Sequence, residues 1–432
     1  FYYQEVKLKI KINNLTIVTS SGLFRKNLLI DGGIIKKISD KPIQAKGVDF
    51  LIDNENLMVF PGFLDMHVHL REPGFEYKED IESGQRAALK GGFTAIACMA
   101  NTNPVNDNSA VTHYIKCKSK ETRIPVDVYP IAAITVGLKG EKIVEMGDLK
   151  EAGAVGFSDD GNPVENSDIL RRAMEYSKCF NMPIICHSEE KKLSKDGQIN
   201  EGILSLKLGL KGIPKEAEVI GIYRDLMLAK LTKAKVHIAH VSTKDSVELI
   251  RKAKKEGINI SCETCPHYFI LTEEEVLGYN TFAKVNPPLR TEEDVMAIRE
   301  GLKDGTIDVI VSDHAPHHID EKDREFELAP FGMIGLQTMV PLSLELVRLG
   351  ILDFQALAEK LSRKPHQILG LRPPAIKEGE EANLTIIDPH YEWVLEKDKI
   401  MSKSYNTPFL GKPMKGKAIY TIKGGEVFEI ES

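Results

Sequence analysis

Several features that mark other protein classes are missing from this 432-residue sequence. It contains no uninterrupted apolar run of about 18 residues, the length that a membrane-spanning helix needs. It carries no long basic block, and its formal net charge of −6 disfavours a surface for nucleic acid. The opening stretch FYYQEVKLKIKINN lacks the charged-then-apolar pattern of a secretion signal. We therefore expect a cytoplasmic protein that binds neither nucleic acid nor a membrane.

Cysteine is also scarce, with six residues in the whole chain. Cys98, Cys186 and Cys262 lie in apolar runs and are typical of small buried side chains. Cys262 and Cys265 form a single CxxC motif, and no second pair accompanies it. This disfavours a zinc knuckle or a redox pair, and the pattern indicates a reduced protein.

The two ends of the chain share a pattern that the middle lacks. Both consist of short segments and turns, such as VKLKIKIN and NLLIDGGIIKKI near the start and AIYTIKGGEVFEI near the end. Alternating apolar and polar residues between turn signals predict half-buried strands. We predict one small β-sandwich domain that is formed from both termini, residues 1–58 and 371–432.

The middle of the chain, residues 59–370, repeats an apolar run, a polar tip and a helical segment. Eight runs fit a strand: FLDMHVHL, FTAIACMAN, VDVYPIAAIT, AVGFSDD, MPIICHSE, KVHIAHVS, INISCETCPH and DVIVSDHAPH. Amphipathic segments such as SDILRRAMEYSKCF and TKDSVELIRKAKKEG separate several of them. Alternation of strand and helix indicates a parallel sheet, and eight units predict a (β/α)8 TIM-like barrel. The expected fold class is therefore α/β.

Polar side chains collect at the C-terminal tips of these predicted strands, the face that carries the active site in such barrels. They are His67, His69, Asp159, Asp160, His187, His237, His240, Asp313, His314 and His317. In a strand, residues i and i+2 point to one face, so His67 and His69 project together, with Arg71 on the same side. Imidazoles and carboxylates that converge on one mouth suit zinc or a similar divalent metal.

The motifs at these tips carry a resemblance to a known family. An HxH at the first strand, histidines at the fifth and sixth and an aspartate at the eighth resemble the metal pattern of the amidohydrolase superfamily. Within it, HVHLREPG, the NTNP at 101–104, GFSDDG, NPPLR, SDHAPH and SYNTPFLGKP resemble the dihydroorotase family. The likeness is to the bacterial type that has an aspartate in place of a bridging carboxylated lysine. It runs in order from about residue 50 to about residue 425.

The resemblance implies a set of metal ligands and a catalytic base. The implied ligands are His67, His69, Asp160, His187, His240 and Asp313. The first two histidines would bind one metal and the last two the other, with Asp160 as the bridge. Asp313 would ligate the first metal and act as general base and acid. The cofactor would be Zn2+, one or two ions per chain, because an aspartate is shorter than a carboxylated lysine. Spacing to His187 favours Asp160 over Asp159, and this choice stays open.

A substrate follows from the same resemblance. The implied reaction is the reversible cyclisation of N-carbamoyl-L-aspartate to L-dihydroorotate and water, in de novo pyrimidine (UMP) biosynthesis. A metal-activated hydroxide and Asp313 would open the ring in the reverse direction. Arg71 offers a fork of donors that suits the α-carboxylate. The implied substrate-binding residues are His69, Arg71, Asn101, Asn286 and His317, with the backbone of Phe331 and Gly332.

Some positions fall outside this pattern. Ala100, Cys265 and Gln337 stand where proline, threonine and glutamate are common in the family. None of them is an implied ligand or base, so these departures bear on loop geometry. Three further histidines are not expected to bind metal: His237, which we predict to be structural, His314 and His318.

Three alternative interpretations stay open. A related cyclic amidase, such as a hydantoinase or allantoinase, would generally need a bridging lysine, and GFSDDG contains none. A non-catalytic barrel that serves as a scaffold for aspartate carbamoyltransferase would typically lose metal ligands, and all are present here. The third is an enzyme that works only when it is docked to that transferase. Since members of the family are often dimers, we also expect a homo-oligomer, most simply a dimer.

Overall fold

The N-terminal part of the chain forms strands. The computed structural model describes residues 7–19 and 22–430, so the outermost parts of the predicted terminal domain, residues 1–6 and 431–432, lie outside the described residues. The strands are β1 (Ile10–Thr19), β2 (Gly22–Asp31), β3 (Ile34–Ser39), β4 (Phe50–Asp53) and β5 (Met58–Pro61). The predicted DGG turn joins β2 to β3, with Gly32 and Gly33 at φ of 61° and 80°. Two residues with positive φ are what a tight hairpin requires.

The middle of the chain forms the predicted barrel. Its strands are β6 (Phe63–Val68), β7 (Phe93–Cys98), β8 (Asp127–Ala132), β9 (Gly156–Ser158), β10 (Ile184–Cys186), β11 (Ile199–Asn200), β12 (Gly212–Ile213), β13 (Val236–Ile238), β14 (Ile260–Thr264) and β15 (Val309–Ile310). All except β11 and β12, which pair with each other, belong to one eight-stranded sheet in chain order. The ends of that sheet meet where His69 N donates to His314 O at 2.8 Å. The eight apolar runs therefore form a nearly closed parallel barrel.

Helices follow the barrel strands along the chain. They are α1 (Ile81–Gly91), α2 (Ser109–Glu121), α3 (Met146–Ala152), α4 (Ser167–Lys178), α5 (Lys191–Ser194), α6 (Ile203–Leu208), α7 (Glu216–Thr232), α8 (Lys244–Lys255), α9 (Pro266–Ile270), α10 (Glu292–Lys303), α11 (Ile319–Lys322), α12 (Met339–Arg348), α13 (Phe354–Ala358) and α14 (Lys364–Ile368). The two helices predicted from amphipathic segments are α4 and α8, capped at their N-termini by the side chains of Asn166 and Thr243. Within the described part of the chain, no helix combines the length and apolarity needed to cross a membrane.

Three C-terminal strands complete the terminal sheet. They are β16 (Asn383–Val394), β17 (Pro413–Lys423) and β18 (Glu426–Glu429). The order is β18-β17-β16-β5-β1-β2-β3, with β4 beside β1. Apolar residues from both ends of the chain form a core of their own, including Ile12, Leu28, Val59, Leu384 and Ile422. The predicted fold class, a barrel with a small β-domain formed from both termini, is confirmed, and the predicted domain boundaries stay predictions.

One threonine ties the terminal sheet to the start of the barrel. Thr385 on β16 donates its hydroxyl to Gly92 O at 2.7 Å and accepts from Phe63 N at 3.3 Å. Phe63 begins β6 and Gly92 precedes β7, so the sheet holds the N-terminal ends of two neighbouring barrel strands. Because the opposite end of β6 carries the HxH motif, this contact helps to place the barrel mouth.

Candidate active site

The barrel mouth collects all of the metal ligands that the sequence predicts. They are His67 and His69 at the end of β6, Asp160 after β9, His187 after β10, His240 after β13 and Asp313 after β15. Parallel strands deliver these side chains to one face because their C-terminal ends meet there. His240, Asp313 and the neighbouring Arg71 have φ of 34°, 47° and 62°. Such left-handed backbone is costly for residues other than glycine and is concentrated at functional sites.

Asp160 lies at the centre of the histidines. One of its carboxylate oxygens is 3.4 Å from His187 Nδ1 and 3.4 Å from His240 Nε2. The carboxylate is also 3.6 Å from His67 Nε2 and 3.5 Å from His69 Nε2. A single carboxylate therefore reaches both histidine pairs, which is the arrangement that a bridge between two ions needs.

The adjacent Asp159 points elsewhere. Its carboxylate accepts hydrogen bonds from the backbone N–H groups of Ile134 at 2.7 Å and Thr135 at 3.0 Å, and from the Thr135 hydroxyl. These bonds turn it toward the chain that follows β8. Of the two aspartates in GFSDDG, Asp160 is the one that faces the histidines.

The residues in the mouth fit a bound metal. Nε2 of His67 and Nδ1 of His240 are buried and have no hydrogen-bond partner among the residues that the structure describes. An unpartnered buried nitrogen is costly and is usually explained by a missing ligand or water. Ligand atoms lie within 4.8 Å of one another in two groups that share an aspartate: His67, His69 and Asp160, and Asp160, His187 and His240. Nitrogen and oxygen donors of this kind are those that zinc prefers.

The electrostatics of the mouth favour positive charge. Burial by itself would lower the pKa of His67, but Glu263, Asp160 and Asp313 together raise it well above the ordinary value. Burial opposes ionisation of Asp160, yet His67 and the other histidines hold its pKa well below the usual range. The carboxylates thus create a field that a divalent cation would satisfy.

Glu263 supports the first histidine, and the sequence analysis did not identify it. Its carboxylate accepts from Nδ1 of His67 at 2.5 Å and from Nε2 of His237 at 2.9 Å, and both partners are fully buried. The bond to Nδ1 leaves Nε2 of His67 free for a metal, the usual role of a carboxylate behind a ligating histidine. His237, predicted to be structural, lies in this support. The available signal was an acid inside the apolar strand INISCETC.

A second acid that was missed lies behind His187. Glu189 Oε2 is 3.4 Å from His187 Nε2 and 3.0 Å from Lys191 Nζ. Its other oxygen accepts from Asn286 Nδ2 at 3.4 Å. Despite burial, His187 and Lys191 lower the pKa of Glu189. The predicted substrate residue Asn286 is therefore connected to the histidine centre through this carboxylate.

On the other side of the centre, Asp313 and Asn101 lie against His69. Asp313 Oδ1 is 3.1 Å from Nε2 of His69, and Nδ1 of the same ring donates to Asn101 Oδ1 at 2.8 Å. The ring is thus oriented with Nε2 toward the carboxylates. Asp313 lies beside both HxH histidines, since His67 Nε2 is 3.5 Å from the same oxygen.

Arg71 lies beside His317 at the rim of the mouth. Its Nε donates to Pro316 O at 3.1 Å, and its Nη2 is 3.3 Å from Nε2 of His317. Nε2 of His317 donates to Phe331 O at 2.9 Å, and Nδ1 accepts from Lys78 at 3.4 Å. Burial, with Arg71 and Lys78 adding to it, lowers the pKa of His317 to about 3. The imidazole is therefore neutral near pH 7.

The rim segment, residues 326–332, lies next to this pair. Gly332 has φ of 133°, and a side chain there would place its Cβ 2.8 Å from the Cβ of Ala315, so only glycine fits. Asn406 donates to the carbonyl oxygens of Ala315 at 3.2 Å and Gly332 at 3.0 Å, and it accepts from His317 N at 3.1 Å. Asn406 belongs to the SYNTPFLGKP motif, so this distant stretch of the chain helps to hold the rim of the barrel mouth.

Two buried lysines also hold the rim segment. Lys284 Nζ donates to the carbonyl oxygens of Phe326 at 2.6 Å and Ala329 at 2.7 Å, and Lys322 Nζ donates to Pro330 O at 2.7 Å. Burial lowers the pKa of Lys284 to about 8 and that of Lys322 to about 7. Neither lysine was identified from the sequence, because nothing in local pattern marks a buried cation.

The remaining histidines predicted not to be ligands lie apart from the centre. His314 contacts Glu79 through Nε2 at 3.1 Å and accepts from Gly335 N at 3.1 Å through Nδ1. His318 is exposed and caps the short helix α11. Both side chains already have partners that are unrelated to a metal.

Comparisons with known proteins show which proteins this chain resembles. The family model described as "Dihydro-orotase-like" matches residues 56–246. A dihydroorotase of Pelobacter propionicus is 52% identical over 416 residues, covering 96% of this chain and 98% of its own. One of Geotalea daltonii is 54% identical over 401 residues, covering 93% of this chain and 94% of its own.

Solved structures with the same fold come from hydantoin-type enzymes. L-hydantoinase (dihydropyrimidinase) from Arthrobacter aurescens has a TM-score of 0.86 at 26% identity, covering 97% of this chain and 96% of its own. Dihydropyrimidinase from Brevibacillus agri has a TM-score of 0.82 at 22% identity, covering 97% of this chain and 95% of its own. The second likeness concerns the fold alone.

A barrel of this type, with histidines and aspartates gathered at its mouth, defines the metal-dependent cyclic amidohydrolases. Within that class the chain belongs to the dihydroorotase family, because relatives of that name share more than half of its residues over nearly its whole length. The resemblance drawn from the motifs is confirmed at the level of family.

Proposed function

We propose that this chain catalyses the reversible cyclisation of N-carbamoyl-L-aspartate to L-dihydroorotate and water, a step of de novo pyrimidine biosynthesis. The observation that carries the proposal is the position of Asp160, whose carboxylate lies 3.4–3.6 Å from all four ligand histidines, on the same mouth as Arg71. The dihydroorotase relatives support the substrate assignment.

The proposed metal sites divide the ligands into two sets with a shared member. The first ion is assigned to His67, His69 and Asp313, and the second to His187 and His240, with Asp160 common to both. Zn2+ is the proposed ion because imidazole and carboxylate are its usual ligands. When bound there, the metal supplies Lewis-acid chemistry, which polarises a carbonyl and makes water more acidic. Glu263 and Asn101 would hold the ring orientations that this binding needs.

Asp313 is the proposed proton carrier. In ring opening, its carboxylate takes a proton from the attacking water and passes it to the ring nitrogen that leaves. In ring closure, the same carboxylate removes a proton from the carbamoyl nitrogen, which attacks the carbon of the side-chain carboxyl group. The C–OH bond of that group then breaks, and Asp313 gives its proton to the departing hydroxide, which leaves as water. A carboxylate can serve both directions only if it is ionised beforehand. His67 and His69 favour that state, since they lower the pKa of Asp313 against the opposing effect of burial.

Arg71 is the proposed partner of the substrate α-carboxylate. Its guanidinium lies at the rim, where Nε donates to Pro316 O and Nη2 lies beside His317. Among the described residues no hydrogen bond engages Nη1, so part of the donor fork is available. A guanidinium matches a carboxylate with two parallel hydrogen bonds. The other proposed substrate contacts are His69, Asn101, Asn286, His317 and the backbone of Phe331 and Gly332.

The association state and location of the chain are also proposals. We infer a homodimer because members of the family are often dimers. We also infer a cytoplasmic location, with aspartate carbamoyltransferase as a possible partner. The domain boundaries that we infer are residues 1–58, 59–370 and 371–432, with the barrel as the catalytic unit.

An assay on the purified chain tests the function. Ring opening of L-dihydroorotate is followed by its loss of ultraviolet absorbance, with hydantoin and allantoin as competing substrates and metal content measured on the same sample. Turnover of L-dihydroorotate by metal-containing protein is the expected result. Turnover of hydantoin in its place would overturn the substrate assignment, and a metal-free chain that stays inactive after Zn2+ is added would favour the scaffold. Activity that appears only with the transferase would identify a dependent enzyme.

A further inference from the structure

A third cluster of possible metal ligands lies beside the two groups that share Asp160. Cys265, His267 and Asp313 each offer one ligand atom, and the three atoms lie within 4.8 Å of one another. Cys265 follows β14 and His267 lies in the first turn of α9, so the Cys-Pro-His sequence folds both toward the same point. The proposed mechanism uses Asp313 and gives neither of the other two residues a role.

The histidine of this cluster has an unexplained nitrogen. Nε2 of His267 is buried and makes no hydrogen bond within the described part of the chain, and the residue is 2% exposed. Cys265 is fully buried and forms no disulfide. A buried imidazole with an unpartnered nitrogen, in one cluster with a thiol and a carboxylate, offers three donors of the kinds that zinc takes, with a further position left for water.

We propose that Cys265, His267 and Asp313 form an inhibitory site for a soft divalent cation, Zn2+ in excess or Cd2+. Sulfur, nitrogen and oxygen donors suit these ions, and a thiolate favours them over harder cations such as Mg2+. Binding replaces the thiol proton of Cys265 with the ion, and the proton leaves to solvent. The Asp313 carboxylate supplies the second negative charge, so a divalent ion is neutralised by its ligands.

Inhibition follows from the position of Asp313 between two ligand sets. Its Oδ1 lies 3.1 Å from His69 Nε2, and the same carboxylate also belongs to the cluster with the Cys265 thiol. An ion held by Cys265 and His267 would draw this carboxylate away from the proton that it must carry. The inhibitory effect rests on the proposed function, whereas the binding of the ion does not.

The test uses Cd2+ added to the zinc-loaded protein, with turnover, bound cadmium and cadmium–thiolate ultraviolet absorption measured together. The wild type is expected to bind one more Cd2+ per chain than the Cys265→Ser variant, with the thiolate absorption and the loss of turnover rising together. Removing a ligand should raise the half-inhibitory Cd2+ concentration by roughly tenfold or more, since loss of a group behind a ligand already costs that much. His267→Gln should weaken the same binding while leaving the thiol in place.

Cys262→Ser is the matched control. Cys262 is also fully buried, lies three residues earlier on β14, and donates to Thr306 O at 3.3 Å. The exposed Cys117 and Cys179 remain in every variant, so their cadmium binding cancels in the comparison. Equal inhibition of the Cys265→Ser and Cys262→Ser proteins, or thiolate absorption that survives Cys265→Ser unchanged, would overturn the proposal. If neither the wild type nor any variant turns over L-dihydroorotate even without Cd2+, the proposed function fails. The cadmium–thiolate absorption and the number of Cd2+ ions bound per chain still show whether Cys265 binds the ion.

Discussion

The two halves of the candidate site are built in different ways. The metal half uses side chains at the ends of barrel strands or within two residues of them, as His67, Asp160 and His240 do. The anion half, with Arg71 and His317, lies on connecting loops that are held by hydrogen bonds to main-chain oxygens. Strands fix a side chain through the whole sheet, whereas a loop needs specific local support.

This difference explains where the buried charges lie. Behind the metal half, the charged supporting groups are carboxylates, and Glu263 holds an imidazole at 2.5 Å. Behind the anion half, they are cations, and Lys284 and Lys322 hold carbonyl oxygens of the rim segment. Glu263, Lys284 and Lys322 therefore have the charge opposite to that of the ligand expected on their side. Asn101 supports the metal half as a neutral amide, and the Glu321 carboxylate also lies in the anion half, 3.5 Å from His317 Nδ1. Changes in the metal half should therefore alter metal binding or the chemical step, and changes in the anion half should alter substrate affinity.

The largest effect is expected from Asp313→Asn. The amide cannot carry the proton, so kcat should fall on the order of 10³-fold or more, while the histidines keep the metal. Initial rates at saturating L-dihydroorotate and metal content per chain measure the two quantities. A variant that retains wild-type turnover would show that another group is the base.

Arg71→Lys probes the anion half. Lysine keeps the charge and loses the donor fork, so kcat/KM should fall about 10- to 100-fold, the range expected when a hydrogen bond to a charged group is lost. Most of the change should lie in KM, with metal content unchanged. A variant that loses metal and keeps its KM would assign Arg71 to the metal half and would contradict the division of the site into two halves.

Glu263→Gln probes the support behind His67. We expect metal affinity to weaken about 10- to 100-fold, the usual cost of losing a carboxylate behind a ligating histidine. Turnover at saturating Zn2+ should change much less. Competition with a chelator measures the affinity, and Ser261→Ala, which removes only the partner of His237 Nδ1, is the control. Equal metal affinity in the Glu263→Gln and wild-type proteins would contradict this role.

The smallest effect is expected from Lys322→Met, which should raise KM a few-fold and change how stability depends on pH. Burial lowers the pKa of Lys322 to about 7 in the folded chain, whereas an unfolded lysine has a pKa of about 10.4. Between these values the unfolded chain binds more protons, so this group makes the folded state more stable as pH rises. The difference between the Tm of the wild type and that of the variant should therefore shift in favour of the wild type as the pH rises from about 7 to about 9. Parallel curves would show that Lys322 has an ordinary pKa.

The barrel and the metal half could be predicted from the sequence because both depend on local pattern. Each strand is a short apolar run, and each ligand follows its run directly, as in FLDMHVHL and IICHSE. For the choice between Asp159 and Asp160, sequence spacing favoured Asp160 but did not decide it. Adjacent residues in a loop have no fixed direction, so the sequence does not show which side chain faces the histidines.

The residues that hold the site residues in place could not be predicted from local sequence pattern. Glu263 faces His67 across 196 residues of chain, and Asn406 joins two segments from a distant loop. Lys284 and Lys322 look like ordinary surface residues in the sequence, and only tertiary packing buries them. The pairing of buried polar groups depends on the assembled fold, so the periodicity of the sequence does not predict it.

The most direct test of the account is a Zn2+ titration of the metal-free chain, with turnover of L-dihydroorotate measured at each step, for the wild type and for Asp160→Ala. If Asp160 serves both histidine pairs, wild-type turnover should rise until two ions are bound per chain. The Asp160→Ala variant should bind the second ion far more weakly and lose most of its turnover. Full wild-type turnover with one ion per chain, or an Asp160→Ala protein that binds two ions and works normally, would contradict the shared carboxylate on which the account rests.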